Sequence, residues 1–232
     1  MRGTFKTSFL KAVGKRRLPI HKLSSWVQFA NRCATQGGNV GTSQYADRYG
    51  MYERILSHPR LLLDNSPVSY LEFGVYKGDS IRWWSENLKH PQSTFVGFDT
   101  FTGLPEAWNT NAGVGHFSVN GQVPQIADSR IRYEVGLFQK TLPPFLKTFQ
   151  RSQRVMLHMD ADLYSSTIFA LLHCGPLLEA GDLILFDEFA CPAHEFRAFS
   201  DFHGVFNFPY TVLDRTAWFN QVCIELGMHS TS

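Results

Sequence analysis

VSYLEFGVYKGDS, residues 68–80, is a short run of strand type that stops on Gly74 and turns again at Gly78. A run of this length bounded by glycines reads as a buried strand. The residues that follow, SIRWWSENLKH, repeat apolar side chains at Ile81, Trp84 and Leu88, the spacing of one helix face. The order strand, glycine turn, helix then recurs along the chain. TFVGFD (94–99) and IRYEVG (131–136) read as strands, and RVMLHMD (154–160) precedes the helix STIFALLHCGPLL, with Ser165 or Ser166 available as its cap. DLILFDEF (182–189) is a further apolar run before AHEFRAFSDF. Upstream, TSQYADRYGMYERILSH (42–58) spaces Tyr45, Tyr49, Tyr52, Ile55 and Leu56 as an amphipathic helix.

Alternating strands and helices imply an α/β domain, a mostly parallel sheet with helices on both faces. YTVLD and AWFNQVCIEL near the carboxyl end are too close for a parallel crossover, so they are expected to form an antiparallel hairpin. One connection is unusual. Residues 100–130, with GVGHFSVNGQVPQ, far exceed the common loop length and are expected to act as a lid on a ligand site.

With 232 residues, 44 % apolar and 18 % charged, the chain is expected to form one globular domain over 42–232. The net charge of +2 argues against nucleic acid as a partner, yet it is unevenly spread. No acid precedes Asp47, whereas Arg2, Lys6, Lys11, Lys15, Arg16, Arg17, Lys22 and Arg32 are basic, leaving the remainder at −6. Residues 1–41 therefore read as a basic arm, solvated or in weak contact with a membrane surface. No run reaches transmembrane length. The four cysteines, Cys33, Cys174, Cys191 and Cys223, lack metal-type or CxxC spacing, consistent with free thiols and a cytoplasmic protein.

Ligands of open α/β sheets bind beyond the carboxyl ends of the strands. Gly74 and Gly78 let the backbone approach a ligand closely, and Asp99 ends the second strand 25 residues after Gly74, placed to accept ribose hydroxyls. Neither GxGxxG nor GxxxxGK[ST] is present, so a nucleoside without phosphates, of which S-adenosylmethionine is one, fits better than a dinucleotide. Asp160 and the pair Asp187-Glu188 end two further strands. If those strands are neighbours, three hard oxygen donors converge, as Mg²⁺ prefers. Asp162 has an equally good reading as a cap of the following turn.

YLEFGVYKGDSI, VGFDTFTGLPE, GLFQKTLP, MDADLYSST and LILFDEF, in that order over about 65–200, resemble the macrocin/mycinamicin sugar O-methyltransferase family. The resemblance implies a Rossmann-like class I methyltransferase fold and Mg²⁺-dependent transfer from S-adenosylmethionine to a sugar hydroxyl of a natural product. A homo-oligomer is among the options for assembly. The resemblance puts Glu72, Gly74 and Gly78 at the methionine part of the cofactor and Asp99 at the ribose, with Gly136 and Phe138 bordering the adenine. Lys77, Ser80 and Thr100 are further expected cofactor-binding residues. The implied metal ligands are Asp160, Asp187 and Glu188, with Asp160 also the base. The family usually has a second aspartate where this chain has Glu188. His194 and Glu195 are expected on a solvated helix face, and His116, His158 and His194 are further base candidates of mainly structural type. A metal-independent methyltransferase, or a non-catalytic cofactor-binding protein of the same fold, remains the alternative.

Overall fold

The computed structural model describes residues 26–29, 47–63 and 65–227. The rest of the basic arm, and the part of the first expected helix before Asp47, lie outside the described residues. Helix α1 (Arg48–Leu56) begins at Asp47, whose carboxylate accepts from the Gly50 amide. It buries Met51, Tyr52 and Ile55, while Tyr49 faces out. Strands β1 (Val68–Phe73) and β2 (Thr94–Asp99) flank α2 (Asp79–Asn87). β3 (Ile131–Val135) is followed by α3 (Phe138–Leu146), β4 (Arg154–Met159) by α4 (Tyr164–Cys174), and β5 (Leu183–Phe186) by α5 (Glu195–Phe206). β6 (Tyr210–Arg215) and β7 (Val222–Leu226) close the described chain.

The strands form one sheet in the order β3-β2-β1-β4-β5-β7-β6. The first five are parallel, and β7 is antiparallel to both β5 and β6, so the expected hairpin is present. The inner strand β1 is buried at every residue, whereas edge strand β3 is half open. The period of two sorts the core. Leu71, Phe73, Val96, Phe98, Leu157, Met159, Ile184 and Phe186 pack on the face covered by α3, α4 and α5. Val68, Tyr70, Phe95, Met156, Leu183 and Leu185 pack on the opposite face, with Tyr52, Ile55, Ile81 and Trp84 from α1 and α2. None of the described helices is long and apolar enough to cross a membrane.

Two local expectations change. Ser165 and Ser166 lie inside the first turn of α4, whose start at Leu163 has no side-chain cap. Asp162 does not cap it either; it takes a left-handed conformation (φ 58°) that turns the chain. Helix α3 was not expected, because Pro143 and Pro144 lie within it and neither can donate a backbone hydrogen bond. Burial of Phe138, Leu142 and Phe145 along one face outweighs those missing bonds.

Trp84 is fully buried and lies 4.9 Å from the Tyr52 ring and 6.1 Å from Tyr70, centroid to centroid. Trp84→Ala is expected to lower stability by about 3–5 kcal/mol, read as a shift of the urea midpoint with an unchanged slope.

Candidate active site

The parallel registers bring the strand ends level. Phe73 pairs with Phe98 and with Met159, and Met159 pairs with Phe186, so Gly74, Asp99, Asp160 and Asp187 all emerge at one edge of the sheet. The ladder continues one step: Asp160 N donates to Phe73 O at 2.9 Å and Asp187 N to Met159 O at 3.0 Å. Beyond these ends lies a cavity of about 460 Å³.

Gly74 (φ 94°) forms its floor, and a Cβ there would stand 1.9 Å from the Asp160 carbonyl oxygen, so only glycine lets the two strand ends meet. Asp99 organises the loop that follows. One of its oxygens accepts from Val75 N (2.7 Å) and Tyr76 N (2.8 Å), the other from Phe101 N (2.8 Å). Oδ2 carries two of these bonds and Oδ1 only one, so Oδ1 keeps the capacity to accept from a ligand hydroxyl.

Asp160 and Asp187 face the same guanidinium. Arg48 Nη1 donates to Asp160 Oδ2 at 2.9 Å and Nη2 to Asp187 Oδ2 at 2.8 Å. Burial pushes the arginine pKa down, but the two carboxylates outweigh it and the net direction is up. Burial first, then repulsion by Asp187, raises Asp160 well above the usual carboxylate range, with Arg48 opposing. Asp162 is pushed up to about 7 by burial and by Glu188, and Glu188 to about 7 by burial and by Asp187. Three potential metal donors, on His158, Asp160 and Asp187, lie within 4.8 Å of one another; Glu188 is outside that group.

Glu195 is a correction. It is fully buried rather than on a solvated face, and its Oε2 accepts from Glu188 N at 2.8 Å while Oε1 finds no protein partner. A sequence signal existed, since Glu195 lies in helical register with buried Phe199 and Phe202. Arg48 was missed in the same way: it shares the stripe of Met51, Tyr52 and Ile55.

Of the cofactor residues anticipated, Gly74, Lys77, Ser80, Asp99, Thr100 and Phe138 line the cavity, as do Asp160, Asp187 and Glu188. Glu72, Gly78 and Gly136 do not. Glu72 lies beneath the floor, accepting from the Tyr70 hydroxyl, which stands 2.6 Å from His158 Nδ1. Gly78 starts α2 against Pro124, and Gly136 N donates to Asp99 O. His158 is thus buried away from the cavity. Tyr164 N donates to His194 Nδ1, and His116 belongs to the 100–130 segment, which supplies Leu104, Trp108 and Phe117 to the cavity wall.

A family model described as "Methyltransferase domain" matches residues 71–189. The chain belongs to the methyltransferase domain family. The matched part of this methyltransferase domain spans β1 to the end of β5, and therefore all the strand ends of the site. A curated relative from Streptomyces olivaceus, 8-demethyl-8-(2,3-dimethoxy-alpha-L-rhamnosyl)-tetracenomycin-C 4'-O-methyltransferase, is 26 % identical over 182 residues, covering 68 % of this chain and 67 % of that protein. Among solved structures, the calicheamicin methyltransferase CalS11 superposes with a TM-score of 0.58 at 21 % identity, covering 94 % of this chain and 90 % of the other. The O-methyltransferase NovP gives 0.53 at 22 % identity, with 71 % and 74 % covered. These likenesses show the class I methyltransferase fold.

Asp99→Ala is expected to release the amides of Val75, Tyr76 and Phe101 together. Their hydrogen exchange is expected to quicken on the order of tenfold or more, since bonds to a charged acceptor contribute about 1.5–3 kcal/mol each.

Proposed function

We propose that this methyltransferase-domain protein is an S-adenosylmethionine-dependent O-methyltransferase acting on a hydroxyl of a sugar or glycosylated natural product. The carrying observation is one cavity that joins a close-approach glycine loop, an acid at the end of β2 and two carboxylates at the ends of β4 and β5. The ordered motifs of the sugar O-methyltransferases support the acceptor class. The Streptomyces olivaceus relative, named as a rhamnosyl-tetracenomycin 4'-O-methyltransferase, agrees with it.

In this reading the loop at Gly74 and Lys77 receives the amino-acid end of the cofactor, Asp99 the ribose hydroxyls, and Phe138 the adenine. The acceptor oxygen enters beside Asp160. Its lone pair forms the new O–C bond as the S–C bond breaks, the electron pair of that bond stays on sulfur as a neutral thioether, and the hydroxyl proton passes to Asp160. The 100–130 segment, as a lid, excludes water from the transfer.

The Mg²⁺ that the family resemblance implies does not fit these residues as they stand. The Oδ2 atoms of Asp160 and Asp187 both accept from Arg48, and both His158 ring nitrogens lie against tyrosine hydroxyls (Tyr70 and Tyr52).

Titration with S-adenosylhomocysteine is expected to show saturable binding, and a panel of nucleotide sugars and glycosides is expected to yield a methylated product. Failure to bind the nucleoside would remove the reading. Asp160→Asn is expected to cut turnover by roughly 100-fold or more with cofactor affinity nearly intact; equal losses in both would make Asp160 structural. Amide exchange across 100–130 is expected to slow when cofactor product and acceptor are both present. Unchanged exchange would count against a lid.

A further inference from the structure

Arg48 lies 112 residues from Asp160 and 139 from Asp187 in sequence, yet its guanidinium spans the gap between their carboxylates. Each terminal nitrogen takes one carboxylate, and Nη1 also stands 3.5 Å from Ser80 Oγ. The placement is not what α1 needs in order to dock. Met51, Tyr52 and Ile55 already bury that helix, and Arg54 ties it to Asp214 through bonds of 2.6 and 2.9 Å. Nor does the helix favour it: a cation in the first turn opposes the helix dipole. What compensates is the pair of carboxylates, which would otherwise repel one another across the ends of two neighbouring strands.

The arrangement also excludes a metal by position. A divalent ion between Asp160 and Asp187 would meet a guanidinium already bonded to one oxygen of each, with the second Asp187 oxygen accepting from Gln221, and a second positive centre in that gap is repelled by the first. Guanidinium suits this place better than ammonium would, because its planar fork reaches two carboxylates at once.

We propose that Arg48 is the resident cation of this site, taking the position between Asp160 and Asp187 that a divalent ion would require, and that methyl transfer here is metal-independent. Arg48 is then a positioning residue. It fixes the Asp160 carboxylate beside the acceptor hydroxyl, whose proton Asp160 takes as the oxygen captures the methyl group and sulfur keeps the bonding pair. This inference rests on the methyltransferase reading above.

Mn²⁺ serves as the probe, followed by electron paramagnetic resonance of the free ion. The full chain is compared with Arg48→Met, Arg48→Lys and the double variant Arg48→Met/Asp160→Asn. The parent is expected to show no saturable Mn²⁺ site. Arg48→Met is expected to bind Mn²⁺ tighter on the order of 100-fold or more, because two charge-assisted hydrogen bonds no longer compete for the oxygens. Adding Asp160→Asn is expected to abolish that gain, which a loss of helix docking alone would not produce. Arg48→Lys, able to reach one carboxylate only, is expected to fall between. A parent that binds Mn²⁺ as tightly as Arg48→Met, or an Arg48→Met protein that gains no site, would overturn the proposal.

S-adenosylhomocysteine titration on the same samples reports folding and tests the methyltransferase reading separately. Should Arg48→Met not fold, the parent still decides. Turnover unaffected by EDTA supports Arg48 as the cation, and turnover lost in EDTA and restored by Mg²⁺ refutes it.

Discussion

Parallel strands that end level with one another set like charges side by side. Here the registers of β1, β4 and β5 fix the heights of Gly74, Asp160 and Asp187 to within one residue, and the ladder bonds hold them there. Two carboxylates in a half-enclosed cleft are unfavourable unless a cation or protons relieve them. The surroundings answer that constraint. Arg48 reaches across from α1, and Gln221 donates from the turn before β7 to the second oxygen of Asp187. The site is therefore a consequence of where the sheet stops, with two distant segments recruited to make the stop tolerable.

The same edge divides into two chemically different halves. On the β1–β2 side, the available groups are backbone amides, Asp99 and the glycine that lets the chain dip beneath a ligand. On the β4–β5 side they are carboxylates. Beneath both, Tyr70, Glu72, His158, Tyr52 and Ser80 form a buried polar chain that ends next to Arg48. Its members are mutually engaged, so it stiffens the floor, and of the five only Ser80 reaches the cavity.

Much of the fold was legible because each strand is an apolar run halted by glycine or acid, and because the helices repeat their apolar residues at helical spacing. The strand-end residues Gly74, Asp99, Asp160 and Asp187 were legible for the same reason: they sit at the punctuation. Arg48 and Glu195 were not read, since each is a charged residue near the start of a helix, where charge normally signals solvent. Both lie in register with the buried stripe of their helix, and a charge within such a stripe is the mark of an internal ion pair or network. Helix α3 was hidden by Pro143 and Pro144, a case in which tertiary burial outweighs local propensity. Glu72 was placed from its position in a motif, and only packing reveals that its carboxylate turns down toward Tyr70.

The antiparallel tail has a bearing on biogenesis. Strand β7 lies between β5 and β6, so Leu183–Phe186 stays an uncovered edge until residues 222–226 have left the ribosome. That edge is wholly apolar in its side chains, and during synthesis it is a template for pairing with a neighbouring nascent chain. Gln221, which arrives with the same segment, completes the shell of Asp187. Closure of the sheet and completion of the cavity wall around Asp187 are thus one late event, and a chain interrupted before β7 would be at once unfinished at its strand ends and adhesive.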